Sequence, residues 1–470
     1  MLNQAKLENG SLKHPSTLYI GSICVEGDDS KRVILAAVQF VLGHAARLAG
    51  QDTAIEDIRQ RQALAEIHVP QTPQLGPEFS MNPESVLHFP FLQLDRSGRL
   101  IYDLEISPDK DDDHPGTIKA VEAKRQDEID FLDLKIAELK LAMEAGSQEQ
   151  IDTISDELLK KYPELAWMPP EMEALLTALE KELVDQDSTE PLFIKMQAAG
   201  PINTAIEIYT YYKDHLKKSH TVLRNKQMLN IHSGLILTRS INWTRKVKRR
   251  LGEVTNRPIK FIFSFDEPCF EYMNHDKVGP RQETVKYAYQ EVWNYPKALP
   301  YKRMIHVCSG LWTEVIDAVL PHVDYFNFDA WKNADQLRGK AAALREFLMR
   351  GGVLVAGIVP TNLTSLIDFL QTIDPEADLP FLLESQKLMG NLLNECVNRI
   401  EKMIQVLVAD GVTDDQEFTE DQLRQQIVIS PQCGFGGLVA DKENSRKNII
   451  TYVDLAYAMT KDVAERIQNL

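Results

Sequence analysis

Short apolar runs alternate with segments of helical periodicity along most of the sequence, and this alternation limits the folds that the chain can adopt. Several of the runs are apolar almost throughout, as strands buried on both faces must be. Eight strands alternating with helices predict an α/β protein with a closed (β/α)8 architecture, the TIM barrel. An open doubly wound sheet is the alternative, although no Gly-x-Gly-x-x-Gly motif follows the first run. The predicted strands span residues 17–24, 86–94, 191–199, 259–266, 302–308, 323–329, 353–359 and 426–431.

The net charge of −17 is concentrated in one segment, residues 101–190, which contains 25 acidic and nine basic residues. Within it an apolar stripe steps by three and four residues, which indicates an amphipathic helix; the stripe consists of Ile129, Leu132, Ile136, Leu139 and Met143. We therefore predict that residues 1–104 form the first part of the barrel, residues 105–190 an acidic helical insertion, and residues 191–470 the remainder of the barrel. The insertion is expected to pack on the outside of the barrel, and a dedicated partner-binding arm is the alternative.

Charge, hydropathy and cysteine content narrow the classes of function. No basic stripe stands out, so nucleic-acid binding has little support. No run approaches the ~20 apolar residues of a membrane span, so no membrane association is expected. The five cysteines are odd in number and widely scattered, which does not suit a disulfide framework but suits a reducing compartment. The expected location is therefore the cytoplasm.

Residues with metal-binding chemistry follow the ends of three predicted strands. The functional groups of a barrel lie at the carboxyl ends of its strands. The alternation of side chains along a strand places His306 and Cys308 on the same face. Asp329 ends the next predicted strand, and Cys433 follows the last one. One imidazole, two thiols and one carboxylate at one barrel mouth predict a four-ligand site for Zn²⁺.

Each of these residues also has an ordinary structural interpretation. A histidine and a cysteine two residues apart in a strand are often core residues. Asp329 is placed to cap the helix that follows it. Cys433 precedes Gly-Phe-Gly-Gly, a sequence that also suits a tight turn or a phosphate-binding loop. The joint placement of the residues at neighbouring strand ends is what favours the zinc site.

The segments "HVCSG", "DEP" and "SPQCG", together with "YIGSI" near the amino terminus, resemble motifs of the cobalamin-independent methionine synthase superfamily. The resemblance is to the catalytic carboxy-terminal barrel, a fold shared with uroporphyrinogen decarboxylases and methylcobalamin:coenzyme M methyltransferases. It covers most of the chain outside roughly residues 100–190. The H-x-C motif with a distal C-G is specific to the zinc-dependent methyltransferase branch. The resemblance implies that His306, Cys308 and Cys433 are zinc ligands, and Asp329 stands where the family has a glutamate ligand.

The resemblance also implies which residues bind the substrate. Asp266 of the DEP motif matches the carboxylate that holds the amino group of the amino-acid substrate, and it is predicted together with Glu267 to be catalytic. The family's second substrate-binding carboxylate has no recognisable match, and Asp52 and Asp95 are only weak substitutes. A first-strand loop matches the one that binds the substrate carboxylate, and it consists of Ile20, Gly21 and Ser22.

The resulting prediction is a zinc-dependent methyltransferase that moves a methyl group to a thiol, with homocysteine as the leading acceptor and methionine as the product. Only the thiolate attacks a methyl group, and coordination to zinc deprotonates a thiol outright. The expected donor is a methylated corrinoid, free or carried by a corrinoid protein, or a methyl-folate. Two alternatives remain: a related transferase with another thiol acceptor or alkyl donor, and a non-catalytic barrel with structural zinc whose acidic helices bind a partner.

Overall fold

A parallel, curled sheet of six strands forms the centre of the computed structural model. The structure describes most residues of 115–162, 192–206, 226–270, 281–310, 313–433 and 446–468, with short segments before residue 102 and isolated positions between 165 and 223. Consecutive strands are neighbours, and all are parallel, as in half of a barrel. The strands are β5 (Leu192–Ala199), β6 (Ile259–Asp266), β7 (Lys302–Val307), β8 (Tyr325–Phe328), β9 (Val353–Val359) and β10 (Ile427–Pro431).

Four two-residue strands precede this sheet. β1 (Ser22–Ile23) pairs in parallel with β2 (Gln74–Leu75), whereas β3 (Gln93–Leu94) pairs antiparallel with β4 (Leu100–Ile101). The sequence predicts a parallel barrel strand over residues 86–94, but the described end of that run, Gln93–Leu94, pairs antiparallel with Leu100–Ile101. The α/β architecture with a parallel sheet is confirmed, and closure into eight strands stays a prediction.

Helices connect and cover the strands, and their polar caps explain several of their ends. Asn362 accepts a hydrogen bond from the Ser365 N–H at the start of one helix, and Thr419 and Gln422 form a capping box at another. None of the helices in the described part of the chain is both long and apolar enough to cross a membrane. The α-helices are α1 (Pro115–Ala145), α2 (Gln148–Lys161), α3 (Lys226–Gly252), α4 (Gln282–Trp293), α5 (Thr313–Val319), α6 (Ala330–Asn333), α7 (Ala341–Met349), α8 (Leu363–Ile373), α9 (Leu379–Glu384), α10 (Gln386–Ala409), α11 (Glu420–Gln425) and α12 (Arg446–Gln468), with 3-10 turns at Leu320–His322 and Ala334–Leu337.

The described part of the acidic segment between residues 115 and 161 forms a helical hairpin, α1 and α2, and α1 packs on α3. Gly146 joins the two helices with φ of +66°, a left-handed conformation that ends a helix at little steric cost. All five residues of the predicted apolar stripe are buried. Ile136 fills the space in front of Gly234 on α3, where an added Cβ would lie 2.6 Å from its side chain. The hairpin therefore shares a core with the helices around the sheet.

The inner face of the curled sheet is divided into an apolar and a polar half. Near the amino ends of the strands, seven side chains form a separate buried cluster: Phe193, Ile262, Met304, Tyr325, Val353, Val355 and Val428. Two or four residues further along the strands, the same face carries polar groups, because alternate residues of a strand share a face. These polar residues include Lys195, Gln197, Asp266, His306, Asn327 and Ser430.

Candidate metal centre

Three side chains at the carboxyl end of the sheet converge on one point. One potential ligand atom each from His306, Cys308 and Cys433 lies within 4.8 Å of the other two. The distance between His306 Nε2 and Cys433 Sγ is 3.5 Å. Tetrahedral zinc with bonds of about 2.3 Å to sulfur and about 2.0–2.1 Å to nitrogen separates two such ligand atoms by about 3.6 Å. The three side chains could therefore hold a metal ion, and the distance between His306 and Cys433 matches the spacing expected for Zn²⁺.

The strand ends place these residues. His306 lies in β7 between Asp266 of β6 and Asn327 of β8, and Cys308 follows β7 directly. Beyond β10, the Thr361 hydroxyl accepts from the Cys433 N–H at 2.9 Å and donates to the Cys433 carbonyl at 3.0 Å. Strand register thus fixes the imidazole, and one threonine fixes the backbone of the second cysteine.

An irregularity in strand pairing directs the end of β10 into the site. The register between β9 and β10 shifts between Ser430 and Pro431, so that Pro431 lies opposite Val359. Proline has no N–H to donate, and a shift of this kind re-aims the side chains that follow it. The Gln432 N–H then donates to the Val359 carbonyl at 2.7 Å, which leads the chain to Cys433.

The neighbouring Cys433 favours the protonated forms of both Cys308 and His306. A hydrogen bond to Cys433 and burial raise the pKa of the Cys308 thiol far above its ordinary value. Burial opposes protonation of His306, but the hydrogen bond and charge of Cys433 raise the pKa of the imidazole overall. A thiol of this kind is neutral near neutral pH, and coordination to a divalent cation is the established way to ionise it.

Asp329 lies beside this cluster but is not one of its three members. Its Oδ1 accepts from the Lys332 N–H at 2.9 Å as the N-cap of α6, and its Oδ2 accepts from Gln432 Nε2 at 2.9 Å. The capping interpretation from the sequence is therefore confirmed. Burial raises the pKa of this carboxyl to about 6. Its role as the fourth zinc ligand stays a prediction.

Asp266 ends β6 directly beside His306 and belongs to a chain of polar groups. Lys195 Nζ donates to Gln197 Oε1 at 2.5 Å, and Gln197 Nε2 donates to Asp266 Oδ2. Burial raises the pKa of Asp266 and lowers that of Lys195 to about 8. Lys195 and Gln197 were not among the residues predicted from the sequence. Their signal is two polar residues at period two within the otherwise apolar strand "LFIKMQAA".

Glu267, predicted to be catalytic, has its carboxylate buried among structural hydrogen bonds. It is 0% exposed and accepts from the Ile202 N–H at 3.0 Å, the Asn203 N–H at 2.6 Å and the Tyr289 hydroxyl at 2.6 Å. A Cβ on Gly200 would lie 2.2 Å from Glu267 Oε1, so glycine is required where the carboxylate approaches the backbone. This arrangement favours a structural role over the predicted catalytic one.

The predicted carboxylate-binding loop falls largely outside the described residues. Ile20 and Gly21 lie outside them, and Ser22 is described only as the first residue of β1. The contacts of this loop therefore stay predictions. No protein-family model and no curated protein matches the chain, so its function must be inferred from the geometry of the site.

Proposed function

We propose that the chain is a zinc-dependent methyltransferase that moves a methyl group to a thiol, with homocysteine as the acceptor and methionine as the product. The observation that carries the proposal is the convergence of His306, Cys308 and Cys433 at the carboxyl end of the sheet. Two thiols and an imidazole are soft ligands that suit zinc better than they suit hard cations. Three protein ligands leave a position for an exchangeable fourth group, as catalytic zinc sites do.

The side chains of the site have separate tasks. His306, Cys308 and Cys433 would hold the cation, which would keep a thiol in its nucleophilic thiolate form. Because the three lie where parallel strands end, the acceptor sulfur can approach from the open end of the sheet. The remaining task is to hold the acceptor in line with the methyl donor, and orientation of this kind lowers the barrier substantially. The new S–C bond would form as the bond between the methyl carbon and its carrier breaks, and the electron pair of that bond would leave with the carrier.

Asp266 supports an amino-acid acceptor. It is the register partner of His306 and therefore lies about one strand spacing, about 4.8 Å, from the metal-binding strand. Burial disfavours its ionised form, and an ammonium group of the substrate would offset that penalty. A thiol carrying an amino group at this distance from the sulfur, such as homocysteine, fits both Asp266 and the cluster.

We further propose roles for residues 1–104, a class of methyl donor and a cellular compartment. Residues 1–104 would complete an eight-stranded barrel, and the Ser22 loop would bind the acceptor's carboxylate. The methyl donor would be a methylated corrinoid, free or on a carrier protein, or a methyl-folate. Free thiols at the site suit a reducing compartment such as the cytoplasm.

Methyl transfer to homocysteine, measured side by side with methylcobalamin and methyl-folate on the zinc-loaded protein, tests the proposal. Asp266→Asn is expected to weaken homocysteine binding about 10- to 100-fold, the effect of losing one charge-assisted hydrogen bond, with unchanged zinc content. The exposed Asp368→Asn is the matched control and should change neither. Transfer to a different thiol alone would assign a related transferase. Bound zinc that no added thiol can reach would identify the alternative, a non-catalytic barrel with structural zinc.

A further inference from the structure

A network of hydrogen bonds links His306 on β7 to groups on the next three strands of the sheet, β8, β9 and β10. The completely buried Asn327 on β8 lies opposite His306 in the strand register. Its Oδ1 contacts His306 Nδ1. Its Nδ2 donates to the Val355 carbonyl on β9 at 2.8 Å and to Ser430 Oγ on β10 at 3.1 Å.

The orientation of the Asn327 amide follows from its partners. The Val355 carbonyl is only an acceptor, so the NH2 group of Asn327 must face it. The Ser430 hydroxyl donates its hydrogen to the Pro431 carbonyl at 3.0 Å and therefore accepts from the same NH2 group. Asn327 Oδ1 is then left for His306, and it is only an acceptor. Nδ1 of His306 must carry a hydrogen.

The hydrogen on Nδ1 determines the state of the other ring nitrogen, Nε2. In a neutral imidazole only one nitrogen is protonated, so a hydrogen on Nδ1 leaves the lone pair on Nε2. Nε2 is the nitrogen that lies 3.5 Å from Cys433 Sγ, within the three-residue cluster. We infer that Asn327 is a positioning residue that fixes the Nδ1–H tautomer of His306 and so presents the Nε2 lone pair to a cation bound between His306, Cys308 and Cys433.

A neutral partner suits this position. Metal-binding histidines commonly donate their second N–H to a carboxylate or carbonyl, and loss of that partner typically weakens metal binding 10- to 100-fold. Here the carboxyl groups of Asp266 and Asp329 already lie near the cluster, and burial disfavours the ionised form of each. An amide orients the ring without adding another buried negative charge.

The first test is made on the metal-free protein and does not depend on the proposed function. Long-range ¹H–¹⁵N NMR of histidine-labelled protein, recorded over a series of rising pH until the His306 ring is neutral, reports the tautomer. Nδ1–H is expected for His306 in the wild type and in Asn327→Asp, whose carboxylate keeps the acceptor. A neutral His306 in the wild type with its single ring hydrogen on Nε2 would overturn the inference, even if no variant folded.

The second test measures Zn²⁺ affinity by competition with a chromophoric chelator. Asn327→Leu should bind Zn²⁺ about 10- to 100-fold more weakly, whereas Asn327→Asp should bind at least as tightly as the wild type. Asn242→Leu, which replaces a similarly buried asparagine on α3, should leave the affinity unchanged. Wild-type affinity in Asn327→Leu would refute the positioning role. A wild type that binds no Zn²⁺ would instead refute the proposed function, because the tautomer is read without metal.

Discussion

Replacing Glu267 with glutamine substitutes an NH2 group for one oxygen of a carboxylate that has no exposure to solvent. In the wild type, one oxygen accepts from the Ile202 N–H and the Tyr289 hydroxyl, and the other accepts from the Asn203 N–H. Whichever way the glutamine amide is turned, its NH2 group faces at least one backbone N–H. One buried donor therefore loses its acceptor.

The magnitude follows from these contacts. A buried donor without an acceptor costs about 1–3 kcal/mol, and the bonds that remain weaken because the acceptor is no longer charged. We expect Glu267→Gln to lower the free energy of unfolding by about 2–4 kcal/mol. Tyr289→Phe removes the hydrogen bond from the Tyr289 hydroxyl but leaves the carboxylate to accept from the Ile202 and Asn203 N–H groups, so its expected cost is smaller, about 1.5 kcal/mol.

Urea unfolding followed by circular dichroism measures both variants. The exposed Glu376→Gln is the matched control and should lie within about 0.5 kcal/mol of the wild type. Zinc content is expected to be unchanged in folded Glu267→Gln, because the hydrogen bonds described for this carboxylate come from Ile202, Asn203 and Tyr289. A Glu267→Gln variant with wild-type stability but no methyl transfer would refute the structural role and support the predicted catalytic role of Glu267.

Two further predictions concern packing and charge outside the site. Gly234→Ala should destabilise the protein by about 1–3 kcal/mol, because the new Cβ would lie 2.6 Å from Ile136; adding Ile136→Ala should make the glycine substitution nearly neutral, and additive effects in thermal unfolding would contradict this close packing. Asp324→Asn should cost about 2–3 kcal/mol near neutral pH, because the buried Arg303 guanidinium donates to both Asp324 oxygens, at 2.9 and 3.1 Å. Burial opposes ionisation of Asp324, but the hydrogen bonds from Arg303 lower its pKa overall, so its stabilising contribution is present above the unfolded pKa of about 3.9 and is lost as the pH falls through the folded pKa. The Asn variant should therefore lose less stability than the wild type as the pH falls below about 5, and parallel acid-unfolding curves would contradict the assignment.

The strands from residue 191 onward could be predicted because their sequences leave little ambiguity. The predicted bounds of β6 and β9 agree with the structure, since both runs are mainly apolar, β6 ends at Asp266 and Pro360 follows β9. The run at residues 86–94 shows what the sequence does not predict, namely how a strand pairs. A short apolar run does not reveal its partner, and Gln93–Leu94 pairs antiparallel with Leu100–Ile101.

The candidate metal-binding side chains could be predicted from the sequence, whereas the residues that hydrogen-bond to the site could not. Alternation along a strand is a local property, and it places His306 and Cys308 on one face. The partnership between His306 and Asn327 depends on the register between two strands, which no local pattern specifies. The same holds for Gln197 and Asp266, which lie on neighbouring strands.

Zinc K-edge X-ray absorption of the protein, with and without homocysteine, is the most direct measurement of the proposed zinc–thiolate site. Without homocysteine we expect one zinc with two sulfur ligands at about 2.3 Å and at least one nitrogen at about 2.0–2.1 Å. Homocysteine should raise the number of sulfur ligands from two to three, and Cys308→Ser and Cys433→Ser should each remove one sulfur or abolish zinc binding. A sulfur count that homocysteine does not change, or full zinc binding with two sulfurs in both serine variants, would contradict the account.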